Sequence, residues 1–141
     1  MGITGLLYVI LTAIQWGGGY IDFGDGNYIY ISCRMAQGVQ LYRDILAPQP
    51  PCLPYLGMWV AKLAGALGAT GPDVIIYFRA ASMVIHLVSW MLVMRLAWSA
   101  WGNAISAVIA GSVYLILPLG YWGSFCWENE PLEMLFLRSM E

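Results

Sequence analysis

The chain has 141 residues, 60% of them apolar and only 10% charged, with a mean hydropathy of +0.69. An ordinary soluble domain carries about 25% charge, so a typical soluble globule is excluded. Six Lys+Arg against eight Asp+Glu leave a net charge of -2 and no basic surface to neutralise a phosphodiester backbone, which excludes nucleic acid as a partner. Seven Trp, nine Tyr and 16 Gly suit a chain whose solvent is lipid. At about 20 residues per crossing the length admits three or four spans. The expected class is an all-α polytopic membrane protein with about three transmembrane helices, interfacial helices in the first outer loop, and the start of a fourth span.

Residues 3–16 are apolar apart from Thr4, Thr12 and Gln15. No Lys or Arg precedes them and no small-x-small cleavage site follows, so they read as a first transmembrane helix and not as a secretory signal. Residues 17–73 form an outer loop, because Asp22, Asp25, Arg34, Arg43 and Asp44 gather there and a charge at the bilayer centre costs several kcal/mol. Within it, Tyr28, Ile31, Met35 and Ala36 form a helical stripe. The expected short interfacial helix is capped by Asp25 or Asn27 and stopped by Gly38.

Residues 53–67 are apolar but short, carry Lys62 and contain Pro54, Gly57 and Gly65. A helix lying in the headgroup region fits them better than a crossing. Residues 74–97 and 104–126 are long enough to cross, joined by an interfacial turn over 97–103 with Trp98 and Trp101. Glu128, Asn129 and Glu130 mark a second outer loop over 127–131, and residues 132–141 begin another apolar run. With 53–67 on the surface, two crossings separate the two acidic loops, which then share one side. The count of cations, with Arg34, Arg43, Lys62 and Arg79 outside and Arg95 inside, argues mildly for the opposite orientation.

Cys33, Cys52 and Cys126 lie far apart without a C-x-x-C pair, so each is expected as a buried, unpaired thiol. His86 lies inside an apolar helix, where it hydrogen-bonds a neighbouring carbonyl or helix, or relays a proton. Ala107 and Gly111 are spaced for close contact with another helix. Asp22-Phe23-Gly24-Asp25-Gly26 is by itself a turn sequence. Tyr42-Arg43-Asp44 reads equally as a solvated charge pair or as a placed cation, and Lys62 as a snorkelling side chain or a phosphate contact.

Taken in order, Asp25, Ala36 with Gly38, Tyr42-Arg43-Asp44, Pro50-Pro51 leading to Gly68, then Arg79, then Glu128 or Glu130 before Pro131 resemble the first half-dozen landmarks of the GT-C membrane glycosyltransferases. The likeness is to the branch of the protein O-mannosyltransferases and the aminoarabinose transferase of lipid A. It implies inverting transfer of a sugar from a polyprenyl-phosphate donor to a glycan, lipid or protein acceptor on the extracytoplasmic or lumenal side, in a multi-pass membrane of the bacterial inner or endoplasmic reticulum type. Such a reaction needs a base for the acceptor hydroxyl and cations for the leaving phosphate. The resemblance implies Asp25 as base with Asp22 as rival, Glu130 or Glu128 as support, and Arg43, Lys62 and Arg79 at the phosphate; Tyr42, Asp44, Pro50 and Pro51 are structural parts of the motif. Some family members hold a divalent metal; no His-rich or carboxylate-rich set here demands one. Full-length members have about ten or more spans, so the chain is expected to act with further helices or another membrane subunit. The alternative is a small non-catalytic membrane subunit or helix-packing scaffold.

Overall fold

A computed structural model of the chain describes residues 6, 10, 23–47 and 51–116, with the backbone alone for residues 23–25 and 116. Every regular element among them is helical: α1 (Phe23–Ala36), α2 (Cys52–Ala66), α3 (Val74–Trp101) and α4 (Ala104–Ile116), with a 3-10 turn, Gly71–Asp73, leading into α3. Of the expected first span, Leu6 and Ile10 are described, and both are helical. Residues 23–82 belong to one compact unit and 83–116 to a second, α3 contributing to both.

Two helices end by the same device. Val39 N–H donates to Arg34 O and Gly38 N–H to Met35 O, with Gly38 at φ +97°; Ala69 N–H donates to Ala64 O and Gly68 N–H to Gly65 O, with Gly68 at φ +84°. This pairing satisfies the last carbonyls of a helix but requires a left-handed residue, which glycine adopts without a Cβ penalty. The expected stop at Gly38 therefore stands. The expected start does not: α1 begins at Phe23, so Asp25 and Asn27 lie inside the helix and not at its N-cap position, and residues 23–26 are helical. Packing of the stripe behind them wins over local turn preference, since Tyr28, Ile31, Ser32 and Met35 are all buried.

In the first unit α1 packs on α2. The contact is close because Gly57 lacks a side chain: a Cβ there would overlap Ser32 Oγ, lie 2.8 Å from Ser32 Cβ and 3.2 Å from Phe78 Cε1. Phe78, in the first turns of α3, is thereby seated where α1 and α2 meet. Ile31, Met35, Leu41 and Ala47 form one apolar cluster, with Ile45 and Met58 against it, and this cluster fastens the segment after α1 to the helix pair.

α3 is a continuous helix of 28 residues, about 42 Å long, against a hydrocarbon core of about 30 Å. With the 3-10 turn it makes a 31-residue rod of mean hydropathy 1.6 in its most apolar stretch, long and apolar enough to cross a membrane. The expected turn over 97–103 is shorter than anticipated: Trp98 and Trp101 are still helical, and the chain breaks only at Gly102, φ +67°, and Asn103. Asn103 starts α4 by accepting the Ser106 N–H on its Oδ1 at 2.8 Å. The described part of the expected third span is α4 alone; residues 117–126, the loop 127–131 and the run 132–141 lie outside the described residues.

In the second unit Trp90, Met94, Ala107 and Leu115 form a buried cluster packed by Tyr114. The expected role of Ala107 and Gly111 holds: both are buried, and a Cβ on Gly111 would lie 2.7 Å from Met94 Cγ and 2.9 Å from Trp90 Nε1. Trp90 Nε1–H donates to Gly111 O at 3.2 Å.

Candidate functional site

The chemistry-bearing residues of the first unit are carried by both ends of α1, the segment that follows it, α2 and the start of α3. Leu41 and Ile45 pair in a single bridge, Tyr42 N–H donates to Ile45 O, and Asp44 N–H donates to Gln40 O. These bonds close residues 41–45 into a tight loop in which Tyr42 takes φ +66°, a conformation that costs a bulky side chain about 1 kcal/mol or more. The buried Leu41 and Ala47 on either side hold the loop to the α1–α2 pair.

Asp44 has two tasks in this loop. Its Oδ2 accepts the Gln40 N–H at 3.0 Å, and its Oδ1 lies 3.6 Å from Arg43 Nε. Gln40 Oε1 in turn accepts from Arg43 Nη1 at 3.2 Å. The Arg43 guanidinium is thus aimed by two neighbours while remaining largely open to solvent. An exposed ion pair contributes well under about 1 kcal/mol to stability, so the arrangement orients the cation more than it strengthens the fold. Gln40 is the positioning residue that sequence reading passes over, because a glutamine three residues before an arginine in a loop carries no recognisable pattern. Arg34 is held similarly, Nη1 donating to Gln37 Oε1 at 3.0 Å.

Lys62 projects from α2 over the Trp59 ring, with Nζ 5.1 Å from its centroid. Arg79 follows the buried Phe78 on α3 and is half-buried. Pro51 stands at the start of α2, its carbonyl accepting Tyr55 N–H at 3.1 Å. Asp25 is in the first turn of α1. Asp22, Pro50, Glu128 and Glu130 lie outside the described residues. No group of His, Cys, Asp or Glu among the described residues is arranged to hold a metal.

Cys33 and Cys52 are unpaired as expected but depart from the expected burial. Cys52 is exposed at the start of α2, and Cys33 is only half-buried, because it lies on α1 beside the buried Ser32 and not on the stripe of Tyr28, Ile31 and Met35. Burial still pushes the Cys33 thiol pKa up. Cys126 lies outside the described residues.

No family model, curated protein or solved structure matches the chain.

Proposed function

We propose that the chain is a multi-pass membrane protein of three crossings that forms the donor side of a lipid-linked-sugar transferase, taking a sugar from a polyprenyl-phosphate carrier on the extracytoplasmic or lumenal face. The observation that supports this reading is the Arg43 loop. A guanidinium held by Gln40 and Asp44, exposed in the loop between α1 and α2, is suited to bidentate contact with a phosphate. Its position after α1 and before α2 also agrees with the order of motifs described above. In this reading Arg43 and Arg79 contact the donor phosphate. Asp25, or its rival Asp22, takes the acceptor proton, and Glu128 or Glu130 supports that base from the second outer loop.

The test is photolabelling of the full chain in lipid nanodiscs with a diazirine-bearing polyprenyl-phosphate sugar. Labelling of residues 40–45, competed by the unmodified donor and reduced about tenfold by Arg43→Gln, is expected, a loss that equals about 1.4 kcal/mol. Labelling that the donor does not compete, or that is equal in Arg43→Gln, overturns the reading in favour of a non-catalytic membrane subunit. In membranes where transfer is measurable, Asp25→Asn removes transfer and leaves photolabelling intact if Asp25 is the base. The topology is checked separately: single cysteines at Asp44 and Glu130 should react with an impermeant reagent from the same side.

A further inference from the structure

α2 is apolar on both of its long faces. Leu53, Pro54, Gly57, Ala61 and Ala64 are buried, on the side where Gly57 meets Ser32 of α1. Tyr55, Leu56, Trp59 and Leu63 are exposed, and at 100° per residue they centre on the opposite side of the helix. A surface helix in water carries polar residues on the side away from its core. Here that side offers two aromatic and two aliphatic side chains, with Leu67 exposed just beyond the helix end, and a single charge, Lys62, at its margin.

From these observations we infer that the outer face of α2 is a phospholipid-binding surface that lies in the plane of the bilayer interface, with Tyr55, Leu56, Trp59 and Leu63 in the acyl boundary and Lys62 on a lipid phosphate. Three features select lipid as the occupant. The composition is that of an interface: Trp and Tyr are amphipathic rings that settle at headgroup level, and a Lys beside them reaches outward to phosphate. The Lys62 ammonium, 5.1 Å from the Trp59 ring centroid, is held by the ring while its donors stay open to an anion. The connection is short: five residue steps from Ala66 to Gly71, at most about 18 Å of chain, join α2 to the apolar rod Gly71–Trp101, so the end of α2 lies close to any bilayer that rod crosses. The inference does not depend on sugar transfer. It gives α2 the task of setting the depth of the Arg43 loop, which is fastened to the same helix pair through Met58.

The test uses the full chain, with Cys33, Cys52 and Cys126 replaced by Ser, carrying one nitroxide-labelled cysteine at residue 55, 56 or 63, or at residue 40 as a loop control, in phosphatidylcholine vesicles with or without phosphatidylglycerol. Trp59 and Lys62 remain intact. Labels at 55, 56 and 63 should be relaxed by oxygen and shielded from an aqueous nickel chelate, and the label at 40 should show the reverse. Adding about a third of anionic lipid should deepen the label at 63; Lys62→Gln should abolish that response and Lys62→Arg should keep it. Nickel access at 56 and 63 equal to that at 40 overturns the inference in favour of a water-exposed face. Exclusion of both relaxants overturns it in favour of a protein-covered one. A depth at 63 that ignores both the anionic lipid and Lys62→Gln overturns the assignment of Lys62.

Discussion

The ring of Tyr114 stacks on that of His86, centroids 5.0 Å apart and planes 25° from parallel, and its hydroxyl lies within hydrogen-bond distance, 3.2 Å, of His86 Nδ1. His86 is 1% exposed, so this contact from α4 gives a buried polar group on an apolar helix a hydrogen-bonding neighbour. Tyr114→Phe keeps the stack and removes the hydrogen bond. It should lower stability in mixed-micelle unfolding by about 0.5–2 kcal/mol. The double variant, His86→Phe with Tyr114→Phe, should cost less in total than the two single losses added, because the pair is coupled. Additive losses would mean that the two residues do not act together.

Gly111 marks a close approach between α3 and α4. Gly111→Ala drives a methyl group against Met94 and the Trp90 indole that donates to the Gly111 carbonyl, and should destabilise by about 1–3 kcal/mol. Met94→Ala should recover part of that loss, since the Met94 side chain is the nearest obstacle. A neutral Gly111→Ala in the same unfolding assay would show that the helices are further apart than described.

The left-handed stops at Gly38 and Gly68 predict a graded response. Alanine at either should cost about 1 kcal/mol and asparagine less, because asparagine tolerates positive φ better than alanine. Thermal unfolding of the four single variants checks the order; equal effects of Ala and Asn would deny that backbone conformation is the cause.

Asp44→Ala removes the acceptor of the Gln40 amide and one of the two groups that aim Arg43. Exchange of the Gln40 amide proton should quicken about tenfold, in line with the loss of about 1.4 kcal/mol. Asp44→Asn keeps an acceptor oxygen and should quicken it less.

The Cys33 thiol, with its pKa pushed up by burial, should alkylate more slowly than the same thiol in unfolded protein, its rate profile displaced to higher pH. The linked effect on stability has a definite sign. The folded state holds the thiol proton more tightly, so stability is fully present below the ordinary thiol range and falls as pH rises through it. Cys33→Ser should flatten that fall.

Much of the helical layout was legible in the residues. The stop at Gly38, a helix over residues 53–67 and a long apolar helix from 74 follow from glycine placement and apolar run length, which are local properties. The start of α1 was not legible, because Asp25, Gly26 and Asn27 favour a turn locally and become helical only through the packing of the residues behind them. Trp98 and Trp101 suggested an early interfacial break, but an aromatic residue does not end a helix; the chain turns where Gly102 permits a positive φ.

The candidate site divides in the same way. That cations and acids gather in residues 17–51 was plain from composition. That Gln40 and Asp44 aim Arg43, and that Lys62 sits over Trp59, required the turn of the chain and the facing of α2. Local chemistry established which segments are helical and apolar, because helix length, capping and hydropathy are summed over neighbours in sequence. Which residues meet was decided only in three dimensions: Ser32 with Gly57, Trp90 with Gly111 and His86 with Tyr114 are 21 to 28 residues apart or form across separate helices. Such contacts depend on the facing and approach of whole helices, which no local pattern carries.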